Sequence, residues 1–265
     1  MSFIDSHCHL DFPVLHQQLS QILQRAYHQK VTEFIVPSVS ADNFRTVINL
    51  ADTHSNIHFS LGMHPCFMNQ HQQQHLALLS DYIAKHNPIA VGEIGLDFFI
   101  SGDDVAKSAQ IELFNAQLTI AKQFKLPVLL HVRKAHDQVL SMLKKIGFTE
   151  GGIVHAFNGS AVQAKRYTQE FGFKLGFGGT ITHPRATKLR ALAAQLPLTD
   201  IVLETDAPDM PLANMLETYN QPANISIIAD VLCQLRNESA LAIAQQIALN
   251  TRSCLRLTKE YAAKN

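Results

Sequence analysis

One kind of unit recurs along this chain: a short apolar run, a polar or glycine-containing break, and then a helical stretch. The helical stretches repeat Leu, Ile, Ala, Val or Phe at i, i+3 and i+4, which is typical of helices with one apolar face. The eight apolar runs cover residues 3–10, 33–39, 58–64, 89–97, 127–132, 152–157, 174–179 and 200–206. The helical patterns cover 19–29, 44–52, 76–86, 111–124, 136–147, 160–172 and 186–196, with two more inside 224–261.

Repeated βα units of this kind predict an α/β fold with a parallel sheet. The apolar runs are mostly continuous, as expected for strands that helices cover from outside. Eight units close into a TIM-like (β/α)₈ barrel in about this chain length. The alternative is an open doubly wound sheet, but no Gly-x-Gly-x-x-Gly follows the first run. We therefore expect a single barrel domain over residues 1–265.

Composition narrows the class of protein further. Hydrophobic residues make up 46% of the chain and charged residues 17%, which suits a large core and argues against disorder. No apolar stretch reaches the length of a membrane span, and the N-terminus has no signal-peptide features. We expect a cytoplasmic protein without a membrane partner. The cysteines are scattered without a Cys-x-x-Cys pair, which predicts free thiols.

Charge is balanced over the whole chain but not along it. The formal net charge is zero, so global electrostatics do not indicate a nucleic-acid binder. Residues 121–190, however, contain 12 Lys or Arg and three acids. These basic residues are either solvated helix faces or a local cradle for an anionic substrate.

Histidine is unusually frequent, with 14 residues, and several lie where apolar runs end. His7 and His9 are two apart, so in an extended segment both imidazoles point the same way. Strand C-termini of a parallel barrel meet at one rim, where residues from several strands converge. Any one of these side chains alone could be a hydrogen-bonded core residue or a helix cap. Together they predict a metal site. The expected ligands are His7, His9, Glu93, His131, His155 and Asp206.

Five segments also resemble a known family. FIDSHCHLD, VGEIGLDF, LHVRKAHD, VHAFNGS and LETDAP are similar to motifs of the TatD family of metal-dependent deoxyribonucleases and related hydrolases, within the amidohydrolase superfamily. The resemblance runs over nearly the whole chain, with the motifs in the same order. It implies a TIM-like barrel that binds two divalent cations. By this resemblance His7, His9 and Asp206 hold one cation, His131 and His155 hold the other, and Glu93 bridges both.

Such a site predicts hydrolysis, because two adjacent cations acidify a shared water that can attack a phosphodiester phosphorus. Asp206 is the candidate for orienting that water and accepting its proton, and Glu93 is the second catalytic residue expected. The ligand set leaves the cations open among Zn²⁺, Mn²⁺, Fe²⁺, Co²⁺ and Mg²⁺.

Two further residues are candidates for binding the substrate. Arg133, two residues beyond His131, could grip a phosphate or pair with an acid at the rim. By the resemblance, His64 in the segment GMHP lies close to the substrate and could donate to a phosphate oxygen; the alternative is a histidine packed before a strand-ending proline. Asp5 and Asp97 could orient ligand imidazoles or could simply bond backbone amides.

The glycines of 176–179 are expected to form either a phosphate-binding loop or a tight turn. Asn220 with Gln221 and Pro222 resembles a family element near the substrate. The chain departs from the common family pattern at Lys134, where an acidic residue is usual, and at Asp209 and Met210, where an aromatic is frequent. These differences resemble a less characterised branch of the family.

Three functions follow as hypotheses. The first is a deoxyribonuclease acting on exposed ends or single strands. The second uses the same site on a small ester, a lactone or an aminoacyl-RNA ester, because fold and metals do not define the substrate. The third is a barrel that only binds nucleic acid or a protein, against which the complete set of ligand-type residues argues. A monomer is the default expectation, with no obligate protein partner.

Overall fold

The structure is a computed structural model that describes residues 2–215 and 218–257. Its eight strands form one parallel sheet in which each strand pairs with its neighbour in chain order, β1 to β8. The strands are β1 (Phe3–Asp5), β2 (Val31–Pro37), β3 (Ile57–Leu61), β4 (Ala90–Asp97), β5 (Val128–Arg133), β6 (Gly152–Val154), β7 (Phe173–Phe177) and β8 (Ile201–Leu203).

Helices connect and cover these strands, as the helical periodicity predicts. They are α1 (Pro13–His16), α2 (Leu19–His28), α3 (Phe44–Thr53), α4 (Gln74–His86), α5 (Asp104–Phe124), α6 (His136–Ile146), α7 (Ala161–Phe171), α8 (Thr187–Gln195), α9 (Ile225–Leu235) and α10 (Ala240–Cys254). The last two confirm the helical patterns expected after residue 224. Residues 258–261 of that expected segment lie outside the described residues, as do both ends of the expected domain 1–265.

The sheet curls until its last strand reaches its first. The backbone N–H of Ser6 donates to the carbonyl of Leu203 at 3.1 Å, and Asp206 N–H donates to the carbonyl of His7 at 2.9 Å. Helix α10 packs against β8 and β1 and covers this junction from outside. The expected TIM-like (β/α)₈ barrel is therefore confirmed, and the open doubly wound alternative is not.

The barrel interior is a core of its own, separate from the larger core between the sheet and the helices. One inward-facing apolar residue from each of six strands forms it, and Leu255 and Leu257 pack against these residues from beyond α10. The six are Ile4, Ile35, Ala90, Leu129, Ile153 and Val202. Because side chains alternate along a strand, Leu129 and His131 share the inward face, as do Ile153 and His155. The interior face thus leads directly into the mouth of the barrel.

Six of the eight strands end earlier than the apolar runs suggest, whereas β4 ends with its run and β5 ends one residue beyond it. The first run was expected to extend to residue 10, but β1 ends at Asp5, so His7 and His9 lie in the irregular segment that follows it. His64, His155 and Asp206 likewise lie one to three residues beyond their strands. The runs extend past the strands because the segments that follow the strands are largely buried as well.

The cysteines and the apolar character of the helices are two further features of the described residues. All four cysteines, Cys8, Cys66, Cys233 and Cys254, are free thiols. Among residues 2–215 and 218–257, no helix has the length and apolar character that crossing a membrane requires.

Candidate metal centre

The six side chains expected to hold metal meet at the C-terminal mouth of the barrel. Nε2 of His7 and Nε2 of His9 lie 3.3 Å apart, which confirms that both imidazoles point the same way. Nδ1 of His131 lies 3.3 Å from Nε2 of His155 on the other side of the mouth. Two histidine pairs, one near the N-terminus and one from the middle of the chain, therefore meet at the mouth of the barrel.

Glu93 stands between the two pairs and turns one oxygen to each. Its Oε2 lies 3.1 Å from Nε2 of His7 and 3.7 Å from Nε2 of His9. Its Oε1 lies 3.0 Å from Nε2 of His155 and 3.2 Å from Nδ1 of His131. The side chain is almost completely buried. This is the arrangement expected of a carboxylate that bridges two cation sites.

Asp206 completes the first group from the opposite side. Its Oδ1 lies 3.6 Å from Nε2 of His7, 3.8 Å from Nε2 of His9 and 3.9 Å from Nδ1 of His155. The Asp206 backbone is left-handed, with a φ of 56°, a conformation that Asp adopts more readily than most residues. This turn directs the carboxylate back over the mouth instead of along the strand.

The spacing of the donor atoms is compatible with ligation of a metal ion. Two ring nitrogens bound tetrahedrally at about 2.05 Å from one ion lie about 3.3 Å apart, the separation found in both histidine pairs. Two compatible groups can be drawn from the cluster, each with its donor atoms within 4.8 Å of one another. They are His7, His9 and Asp206, and Glu93, His131 and His155.

Electrostatics keep the bridging carboxylate charged. Burial raises the pKa of Glu93, but the surrounding His64, His155 and His7 outweigh it and hold that pKa well below 4.5. Burial lowers the pKa of His155, but Glu93 and Asp206 raise it well above its usual value. A buried anion with ring nitrogens on all sides attracts positive charge, whether protons or cations supply it.

Burial instead disfavours the charged forms of two groups around this anion. Burial and the neighbouring His7 lower the pKa of His9 to about 3, so this imidazole offers a lone pair at neutral pH. Burial raises the pKa of Asp206 to about 6, although His155 and His7 oppose the shift. A carboxylate with a pKa in this range can accept a proton near neutrality.

His64 also lies within the cluster. Its Nδ1 accepts a hydrogen bond from the backbone N–H of Cys66 at 3.0 Å, so Nε2 carries the proton and faces Oε1 of Glu93 at 3.1 Å. Burial lowers the pKa of His64 to about 4, which keeps the ring neutral. His64 therefore meets the site as a hydrogen-bond donor.

The two acids considered as supports differ in their contacts. Oδ2 of Asp97 lies 3.0 Å from Nε2 of His131, so it orients this imidazole and leaves Nδ1 facing the site. Asp5 instead accepts from the backbone N–H groups of Thr205 and His7 and from the Thr205 hydroxyl. Asp5 thus ties the first and last strands together through backbone contacts.

Two residues at the site were not singled out from the sequence. Glu204 is fully buried; its Oε1 accepts from the backbone N–H of Ala156 and lies 3.6 Å from Nδ1 of His155. Glu204 stands two residues before Asp206, and this spacing on an inward face is the signal that could have identified it. Cys66 lies with its sulfur 3.6 Å from Oδ2 of Asp97, beside His131.

A cavity of about 440 Å³ opens beside the centre. His131, His155 and Asp206 line one end of it, and Arg133 lies at its edge. Its other wall is largely apolar and contains Phe157, Phe177, Ile181, Leu189 and Met210. The chain's departure from the family pattern at Met210 therefore falls within the cavity.

The remaining expected elements have structural contacts. Asn220 is buried, and its side-chain amide donates to the carbonyls of Thr205 and Met210, so it holds the loop after β8. Gly176 packs against Glu204: a Cβ at this position would lie 2.3 Å from Oε2 of that carboxylate. The lack of a side chain at Gly176 permits this close approach. This packing role differs from both the phosphate-binding loop and the tight turn expected for residues 176–179.

A parallel barrel with imidazoles and carboxylates converging at its C-terminal mouth defines the class of metal-dependent barrel hydrolases. Comparison with known families agrees with this class. The family model described as TatD related DNase matches residues 4–256. The chain belongs to this family, as its motifs predict, and is a metal-dependent hydrolase.

Individual relatives support the same assignment. The chain is 43% identical over 251 residues to the uncharacterized metal-dependent hydrolase YjjV of Escherichia coli K12, covering 94% of this chain and 96% of that protein. It is 40% identical over 247 residues to an uncharacterized metal-dependent hydrolase of Haemophilus influenzae, covering 91% and 94%. The crystal structure of YjjV, a TatD homolog, superposes with a TM-score of 0.91, 42% identity and coverage of 97% and 98%.

Proposed function

We propose that this hydrolase cleaves phosphodiester bonds of DNA, at exposed ends or in single strands. The observation that carries the proposal is Glu93, whose two oxygens face separate histidine pairs at 3.0–3.7 Å. A carboxylate placed in this way suits two cations about 4 Å apart, the arrangement that many enzymes use for in-line displacement at phosphorus. The family description, TatD related DNase, agrees with this choice of bond.

Different residues of the site have different roles in the hydrolysis. Divalent cations at this site would acidify an attacking water and neutralise charge on the phosphate. Asp206 accepts the proton that the water loses as its oxygen bonds to phosphorus and the bond to the leaving oxygen breaks. The leaving oxygen takes a proton from solvent. Arg133, at the edge of the same cavity, donates hydrogen bonds to the non-bridging phosphate oxygens.

One observation favours a second candidate. The apolar wall formed by Phe157, Phe177 and Met210 would suit the carbon skeleton of a small ester or lactone as well as a nucleotide. The same Asp206 would then accept the proton of a water that attacks a carbonyl carbon. An aminoacyl-RNA ester would combine both features, with an ester at the centre and phosphates at the rim.

A substrate panel separates these candidates. Purified protein is freed of metal, reloaded with Mn²⁺, Mg²⁺ or Zn²⁺, and assayed on single-stranded and duplex DNA, RNA, an aminoacyl-RNA and small esters. We expect cleavage of single-stranded DNA, with the Asp206→Asn variant at least about a hundredfold slower. Asp209→Asn changes an exposed carboxylate in the same loop and is the matched control.

The outcomes are distinct. Hydrolysis of an ester with no cleavage of nucleic acid would replace the first candidate with the second. No hydrolysis of any substrate by metal-loaded protein would overturn both. Equal losses in Asp206→Asn and Asp209→Asn would remove Asp206 from the role assigned here.

A further inference from the structure

We propose that Phe99 is a stacking platform for a nucleobase, placed at the rim so that the adjacent phosphate reaches the metal centre. The inference rests on the proposed nuclease function and specifies its substrate as a single strand with unpaired bases. Phe99 is 60% exposed, and its neighbour Ile100 is 48% exposed. Flat aromatic side chains beside a cationic groove are a common means of binding single-stranded nucleic acid.

The ring is held in relation to the metal centre through Asp97. Oδ1 of Asp97 accepts the backbone N–H groups of Phe99 at 3.0 Å and Ile100 at 3.2 Å, while Oδ2 contacts Nε2 of His131. The neighbouring Phe98 N–H donates to the carbonyl of Arg133 at 2.9 Å. One carboxylate thus positions both a candidate ligand and the loop that carries the aromatic ring.

Arg133 joins the platform to the cavity. Its guanidinium carbon lies 3.8 Å from the centroid of the Phe99 ring and covers one face of that ring. Phe99 itself is still 60% exposed. A base on the uncovered face would continue a stack of guanidinium, phenyl ring and base. Because Arg133 also lines the 440 Å³ cavity, it can contact the phosphate next to that base.

Charge at this rim suits a polyanion. Arg133 and Lys134 also line a second cavity of about 460 Å³, with Asn158, Ser160 and Gln163. Within 2–215 and 218–257, neither cation forms an ion pair with an acidic side chain. Arg133 lines both cavities and Lys134 lines the second, so these two unpaired cations offer a path for successive phosphates while the ring receives the base.

The chain contains no tryptophan, which allows a direct test. Phe99→Trp introduces a single tryptophan at the platform. Tyr27→Trp introduces a single tryptophan at an exposed position on α2 and is the matched control. Each variant is titrated in EDTA, so that no cleavage occurs, with a short single-stranded deoxyoligonucleotide and with the same strand lacking its terminal bases. Anisotropy of a labelled strand reports binding independently.

We expect the normal strand to quench Phe99→Trp emission, the abasic strand to leave it unchanged, and Tyr27→Trp to respond to neither. Phe99→Ala should raise the KM for the normal strand about tenfold and abolish the wild-type preference for the normal over the abasic strand. Thermal unfolding of both Phe99 variants verifies that they fold.

Identical emission changes with normal and abasic strands, or an unaltered preference in Phe99→Ala, would overturn the platform. If wild-type protein cleaves DNA but the emission of Phe99→Trp shows no base-dependent quenching, only this inference fails. If metal-loaded wild-type protein cleaves no nucleic acid, the proposed function fails and the platform fails with it.

Discussion

Oε1 of Glu204 lies 3.6 Å from Nδ1 of His155, on the far side of the imidazole from the ring nitrogen that faces Glu93. The same oxygen accepts the backbone N–H of Ala156, so Glu204 holds the backbone of the turn after β6 and places its carboxylate beside the ring. Its second oxygen has no hydrogen-bond partner among the described residues although the side chain is fully buried. Glu204 is thus a positioning residue behind a candidate ligand.

Glu204→Gln should weaken metal binding by about ten- to a hundredfold, because supporting partners set the orientation and basicity of a ligand imidazole. Competition with a fluorescent chelator measures the affinity for Zn²⁺ or Mn²⁺. Glu170→Gln, an exposed position on α7, serves as the control. Equal metal affinities in the two variants would show that Glu204 does not support His155.

Gly176→Ala should disturb the same support from the opposite side. The new methyl group would lie 2.3 Å from Oε2 of Glu204, so the buried carboxylate or β7 must shift. We expect a loss of about 1–3 kcal/mol in the free energy of unfolding, as for other overpacked sites, together with weaker metal binding.

Urea unfolding and chelator competition test both effects of Gly176→Ala. Gly102→Ala is the matched control, because a Cβ there would have no neighbour within 4 Å. Wild-type stability and affinity in Gly176→Ala would mean that the site tolerates the methyl group and that the close approach is not required.

Glu33 should contribute a pH-dependent part of stability away from the metal centre. It accepts from Arg252 and contacts Nε2 of His58 at 3.2 Å. Burial raises the pKa of Glu33, but His58 and Arg252 outweigh it and hold the pKa below 4.5. A depressed pKa means that the stabilisation is present above the unfolded value of 4.5 and is lost as pH falls through the lower folded value.

Glu33→Gln should therefore lower the free energy of unfolding by about 1.5–3 kcal/mol at pH 7. The difference from wild type should shrink as the pH falls below 4.5. Urea unfolding across this range measures it, with Asp104→Asn, an exposed partner of Lys107, as the control that changes little. A difference that is constant with pH would exclude the charge of Glu33 as its source.

Much of the fold could be predicted because each βα unit has a local sequence pattern. An apolar run such as 127–132 and the amphipathic helix after it need no distant information, and eight of them specify closure. The candidate ligands followed because parallel strands bring their C-termini to one rim. The ends of strands were harder to predict: the alternation of His7 and His9 is compatible with a strand, but β1 ends at Asp5 and both side chains lie in the buried segment after it.

Side-chain direction was the larger gap. Strand β4 has a register irregularity between Val91 and Ile94, and regular alternation from the inward-facing Ala90 would turn Glu93 away from the barrel. The interruption directs Glu93 inward, which no periodicity reveals. Glu204 was overlooked for a related reason: its role depends on contacts with His155 and Gly176, which are distant in the chain.

The metal content of the protein shows whether one carboxylate, Glu93, joins two cation sites. Wild type and Glu93→Gln are freed of metal, reloaded with excess Zn²⁺ or Mn²⁺, separated from unbound ions and analysed by mass spectrometry. We predict about two equivalents per chain in wild type and no more than about one in the variant. Two equivalents in Glu93→Gln, or fewer than one in wild type, would contradict the account.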